Sequence, residues 1–117
     1  MSTNLEEVQQ FLTRLKGLTH GFDIIYLDHR PKNSQTLADL EITGRERDEH
    51  IRDLEVENYS GGPLPEEFHG GKEEMWVFGK VIKGNEVYIK ITLGEFNSNV
   101  ICISFHIAEH KMNYPHK

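Results

Sequence analysis

The sequence predicts an α+β fold, with amino-terminal helices packed on a small antiparallel β-sheet. Two observations predict it. The first half of the chain carries apolar residues at helical spacing. The second half carries three short runs in which apolar and polar residues alternate: Met75 to Lys83, Glu86 to Leu93 and Val100 to Ile107.

The helical half divides at its capping signals. Thr3-Asn4-Leu5-Glu6 reads as a capping box, with Thr3 at the cap and Glu6 reaching back. Leu5, Val8, Phe11, Leu12, Leu15 and Leu18 follow on one stripe, and Gly17 or Gly21 ends the helix. The β-branched and aromatic run 22–27 predicts a strand at the sheet edge. Asp28 to Lys32 contains Pro31 and predicts a loop, after which Asn33 caps a short helix through Leu40. Thr43-Gly44-Arg45-Glu46 is a second capping box. It opens a helix with Arg47, Ile51 and Leu54 on one face. Leu37, Leu40, Ile42, Ile51 and Leu54 are expected to pack as a helical pair. The glycine- and proline-rich segment 58–72 predicts a loop that folds over the mouth of the sheet. The whole chain, 1–117, reads as one domain, with 110–117 a loose tail.

In the strand half, Gly84-Asn85 suits a two-residue hairpin turn. With that turn, paired residue numbers sum to about 169. Val87 then faces Ile82, Ile91 faces Phe78, Leu93 faces Trp76, Gly79 faces Lys90 and Lys83 faces Glu86. On the third strand Ile101, Ile103, Phe105 and Ile107 are expected on the buried side, and Cys102, Ser104 and His106 on the other. Tyr88 should then lie near His106, Lys90 near Ser104 and Thr92 near Cys102. Glycine at position 79 leaves room beside the polar face for a ligand or a backbone.

A phenol, an ammonium and an imidazole on one sheet face supply what RNA cleavage by its own 2′-hydroxyl requires. A base takes the hydroxyl proton, a cation stabilises the phosphorane and an acid protonates the leaving oxygen. His106 is the candidate acid or base. Lys90 is the candidate charge stabiliser, and Tyr88 the phosphate donor or proton-transfer group. Ser104, Tyr59 and Lys80 are candidate substrate contacts, with Tyr59 also a loop anchor and Lys80 snorkelling at an apolar edge. An ordinary solvated strand surface would use the same residue types. The seven histidines show no metal-ligand spacing, so neither a metal nor a cofactor is expected.

The net charge of −6 argues against general nucleic-acid binding, which needs clustered Lys and Arg. The acidity concentrates in the first half. The last third carries Lys80, Lys83, Lys90, Lys111 and Lys117 with His106, His110 and His116. The polar, acidic amino terminus has no apolar h-region, and no apolar run approaches the roughly 20 residues of a membrane span. With a single cysteine, Cys102, expected half-buried in a strand, these features predict a cytoplasmic protein with no membrane partner.

Several landmarks together resemble the MqsR family of toxins, in the wider RelE-like group of bacterial toxin–antitoxin systems. They are Tyr59 with Gly62-Pro63, then Trp76-Val77-Phe78-Gly79-Lys80, Val87-Tyr88-Ile89-Lys90 and Ile103-Ser104-Phe105-His106. The resemblance covers about residues 33–107. It implies a RelE-like α+β fold, metal-independent cleavage of messenger RNA and inhibition by a cognate antitoxin protein. It implies site roles for Tyr88 and for His106, a position where the family also uses lysine. Related toxins place a lysine after the loop tyrosine, where this chain has Ser60, and can place a glutamine where it has Val77. A non-enzymatic protein-binding module of the same fold is the alternative. A third reading, a small-molecule site under the Gly/Pro-rich loop, requires a closed apolar pocket.

Overall fold

In the computed structural model, which describes residues 4–65, 74–93 and 99–117, three helices pack on one face of a five-stranded mixed sheet. The helices are α1 (Leu5–Gly21), α2 (Pro31–Leu40) and α3 (Gly44–Arg52). The strands are β1 (Ile25–Tyr26), β2 (Tyr59–Pro65), β3 (Glu74–Ile82), β4 (Asn85–Thr92) and β5 (Ile101–Ile107), in spatial order β1-β5-β4-β3-β2. The α+β class is therefore observed, with one departure: β1 pairs with β5 in parallel.

The cap of α1 is Asn4, whose side chain accepts from the Glu7 amide, one position later than the predicted pair; Thr3 lies outside the described residues. Val8, Phe11, Leu12 and Leu15 are buried, whereas Leu5 is exposed at the end of the stripe. The Phe11 ring stacks on Trp76 and Phe78 at centroid distances of 4.6 and 5.6 Å, joining α1 to β3. The Thr43 capping box forms as predicted, with both reciprocal bonds present. Leu40, Ile42, Ile51 and Leu54 lie in the common core and Leu37 packs at its margin.

Asn33 is not a cap. Pro31 starts α2, and Asn33 lies inside the helix, 2% exposed. Its amide nitrogen donates to the carbonyls of Leu27 (3.0 Å) and Ile103 (2.9 Å), and its carbonyl accepts from the Phe105 amide (3.1 Å). One side chain thus meets the open edge of β5 as a neighbouring strand would. Beside it, Arg47 of α3 is buried, gripping Asp28 with two bonds of 2.9 and 3.0 Å, its guanidinium 3.5 Å above the Tyr26 ring. The Tyr26 hydroxyl donates to Asp48 at 2.6 Å. This cluster fixes α3 to the short β1.

The hairpin turns at Lys83-Gly84, not Gly84-Asn85. Both residues have positive φ (49° and 82°), the pattern of a type I′ turn whose twist matches the strands it joins. Paired residues are Ile82 with Asn85, Lys80 with Val87, Gly79 with Tyr88, Phe78 with Ile89, Val77 with Lys90 and Trp76 with Ile91. The register moves by two from the expected one, so every side chain keeps its predicted face and takes a different opposite neighbour. Glycine 79 faces Tyr88 rather than Lys90. Glu86 faces Val81 rather than Lys83, whose ammonium donates to the Glu41 carbonyl.

Strand β5 holds its predicted partners over its second half: Tyr88 with His106 and Lys90 with Ser104. The register then shifts by one, so that Ile91 pairs with Cys102 and Thr92 with Ile101. Ile103 is the extra residue of a β-bulge. The bulge overturns the expectation of strict alternation. Cys102 joins Ile91 in the core instead of facing Thr92, fully rather than half-buried.

Two further expectations are corrected. Residues 59–65 form strand β2, antiparallel to β3 with two register shifts, where a loop was expected. The loop expected over 66–72 lies outside the described residues. The segment after Glu109 is anchored to the sheet rather than loose. The Ala108 amide donates to the Glu86 carbonyl at 2.8 Å. Glu86 accepts through its side chain from the Met112 amide (3.3 Å) and from the Tyr114 hydroxyl (2.7 Å). The Ser60 hydroxyl donates to the Asn113 carbonyl at 2.7 Å, and the His116 ring lies 5.4 Å from that of Tyr59. Among the described residues no helix is long and apolar enough to cross a membrane.

Candidate functional site

The sheet face turned away from the helices carries the candidate site. Its rows follow from the pairing: Gly79, Tyr88 and His106 across one level, Val77, Lys90 and Ser104 across the next. The two levels are two residues apart along each strand, about 7 Å. Tyr88, Lys90, Ser104 and His106 form the floor of an open cleft of about 510 Å³. Ser60 borders it from β2, and Glu109, His110, Lys111, Met112 and Asn113 form its far wall.

The Tyr88 and His106 rings stack, with centroids 5.3 Å apart and planes 18° from parallel. Position 106 follows β5 out of the core, so the imidazole is only half-buried. Its Nδ1 lies 3.0 Å from the carbonyl of Ile107. A carbonyl only accepts, so Nδ1 carries a proton and Nε2 is the lone-pair nitrogen of the neutral ring. Burial raises the Tyr88 phenol above its ordinary pKa, so it remains a hydrogen-bond donor across the physiological range. Ser104 is buried beneath Lys90.

Opposite charge enters through the wall. The Glu109 carboxylate is held below its ordinary range chiefly by a hydrogen bond from Lys32 at 2.7 Å, with smaller contributions from His106 and His110. The cleft therefore presents two ammonium groups, two imidazoles and one carboxylate already ion-paired on its outer side.

The predicted trio Tyr88, Lys90 and His106 is thus brought together, and Ser104 with it. Tyr59 and Lys80 are not. Tyr59 is 1% exposed, donates its hydroxyl to the Gly62 carbonyl and packs edge-on against Trp76 and Phe78. It is a core anchor with no face toward the cleft. Lys80 pairs with Val87 on the helix-bearing side of the sheet, and its ammonium reaches the His50 carbonyl at 3.5 Å. Partial burial lowers its pKa. Neither residue lines the cleft, the phenol because it is buried and the lysine because strand parity turns it to the other face.

The wall residues His110 and Lys111, and Ser60 on β2, were missed because an irregular polar segment carries no periodicity that locates it. The signal that was available is the basic character of the last third of the chain. The cleft is open and largely polar, unlike the closed apolar pocket that a small-molecule site under the Gly/Pro-rich loop would need. Among the described residues no three His, Cys, Asp or Glu side chains gather as metal ligands. Comparison of the chain with family models, curated proteins and solved structures gave no match.

Proposed function

We propose that the cleft is the active site of a metal-independent endoribonuclease, a RelE-like toxin of the MqsR kind that acts on messenger RNA and is silenced by a cognate antitoxin. The observation that carries the reading is the Tyr88–His106 stack beside Lys90, with Nδ1 of the imidazole committed to the Ile107 carbonyl. In this reading Nε2 of His106 removes the proton of a ribose 2′-hydroxyl. The 2′ oxygen attacks the adjacent phosphorus and the bond from phosphorus to the 5′ oxygen breaks. Lys90 stabilises the charge gathering on the phosphorane. The Tyr88 phenol, kept protonated by its burial, hydrogen-bonds to the phosphate and gives the departing 5′ oxygen its proton, because an alkoxide is more basic than a phenolate. The products are a 2′,3′-cyclic phosphate and a 5′-hydroxyl.

Incubating the purified chain with single-stranded RNA and identifying the new termini tests this directly. The expected result is cyclic phosphate ends, no cleavage of the 2′-deoxy analogue, and a rate loss of about 10²-fold or more in His106→Ala, with a smaller loss in Tyr88→Phe. Cleavage that survives both substitutions, or that consumes DNA equally, removes the mechanism.

One observation favours a second reading, a non-enzymatic protein-binding module. The Glu109 carboxylate stands in the wall, ion-paired to Lys32 on its outer side, and sets a negative charge where a phosphate would have to approach. A folded wild-type chain that leaves RNA intact, yet binds a partner protein in a manner abolished by Lys90→Glu, would support that reading.

A further inference from the structure

The segment 108–117 is ten residues without helix or strand, yet it is tied down on both sides of two residues that face the cleft. Upstream, Ala108 bonds to the Glu86 backbone and Glu109 pairs with Lys32. Downstream, Met112 and Tyr114 both bond to the Glu86 side chain, and Asn113 accepts from Ser60. The chain bends at Glu109 and His110, and His110 and Lys111 line the cleft between the two sets of ties.

The seat of this segment is a notch at Gly79. A Cβ placed there would come within 2.6 Å of the Tyr114 hydroxyl and 2.7 Å of the Met112 sulfur. The three nearest atoms all belong to the tail, so the missing side chain at 79 makes room for that segment. Gly79 is also the cross-strand neighbour of Tyr88. The notch and the cleft floor therefore share one level of the sheet.

We infer that the carboxy-terminal segment is the second half of the nucleic-acid site, with His110 and Lys111 as contacts to the RNA phosphate backbone and with the Glu86–Tyr114 latch in the Gly79 notch as their positioning device. The inference rests on the reading of the cleft as an RNA site and adds to it the source of its missing charge. Among the described residues, Lys90 supplies the ammonium of the cleft floor. Lys111 brings a second ammonium from the opposite wall, so a phosphodiester strand is held from two sides.

The test uses the full chain and a short 2′-O-methyl RNA, which binds but cannot be cut. Nuclear magnetic resonance follows the backbone signals of residues 88, 90 and 111 and the imidazole signals of His106 and His110 during titration. The expected result is perturbation of both groups, with Lys111→Ala weakening binding about threefold to tenfold and Lys111→Arg restoring it. Gly79→Ala, whose added methyl presses on the Met112 and Tyr114 side chains and so lifts the tail, should weaken binding similarly. Lys111→Ala should add no further loss in that background, a non-additivity that general destabilisation does not produce. Glu86→Gln and Tyr114→Phe give the same reading should Gly79→Ala unfold. Perturbation confined to residues 88, 90 and 106, or full additivity of the two substitutions, overturns the inference while leaving the RNA site standing. No perturbation anywhere in the cleft overturns both.

Discussion

Replacing Asn33 with alanine should destabilise the protein by about 2–5 kcal/mol. The magnitude follows from which groups lose their partners. Three backbone groups bond to the Asn33 amide. The Leu27 carbonyl also accepts from the Arg30 amide at 3.1 Å, so its loss is mild. The Phe105 amide and the Ile103 carbonyl belong to buried residues on the outer edge of β5, so alanine at 33 leaves both without that partner in the interior. Leaving a buried donor or acceptor unpaired costs about 1–3 kcal/mol each, about 2–6 for the two, and the better helix propensity of alanine returns about 0.5–1 kcal/mol. Urea unfolding checks this: with a slope of about 1.5 kcal/mol per molar, the midpoint should fall by roughly 1–3 M. Asn33→Asp sharpens the test. It keeps an acceptor for Phe105 but turns a carboxylate toward two carbonyls. Burial then raises its folded-state pKa above the unfolded value of about 3.9, so stability is lost as pH rises through that range and regained toward pH 4. A loss below about 0.5 kcal/mol in Asn33→Ala, or an aspartate variant indifferent to pH, would refute the reasoning.

The remaining predictions rest on separate features. Gly84→Ala should cost about 1 kcal/mol in a thermal or urea melt, because alanine resists the φ of 82° that the hairpin turn demands. The Cys102 thiol, buried and pushed up to about 12, should resist alkylation at pH 8 until the protein unfolds; the unfolded chain releases that proton from about pH 9, so this group lowers stability as pH rises from about 9 to about 12. Glu109→Gln should strengthen RNA binding about threefold at low salt, with the gain shrinking as salt rises, as a filter-binding series would show; an unchanged affinity would remove Glu109 from the electrostatics of the cleft.

The class of fold and the pairing of β4 with the second half of β5 were legible because they follow from period: an apolar stripe every three or four residues, and alternation every two. Parity explains why the trio Tyr88, Lys90 and His106 was placed on one face even though the hairpin register was misjudged by two. Such a shift changes neighbours without changing sides. What escaped had no period. The bulge at Ile103 inserts one residue into an otherwise regular strand, and only three-dimensional pairing shows where. Asn33 carries a helix-capping residue type but bonds to residues some 70 positions away. The Gly- and Pro-rich strand β2 and the tail both look like punctuation, since their order comes from what they lie against rather than from their own propensity.

The extra residue at position 103 has a consequence for anyone who would tidy this sheet. Upstream of it β5 hands Cys102 to the hydrophobic interior; downstream it hands Ser104 and His106 to the solvent-facing groove. Pairing Ile103 in register, so that alternation ran unbroken from Ile101 to Ile107, would compel one half of the strand to surrender its side. Either the oily layer would receive a serine and an imidazole, or Cys102 would leave it for the groove side. The irregularity is the joint that lets one ribbon belong to two environments, and idealised geometry at that point would erase the division of labour.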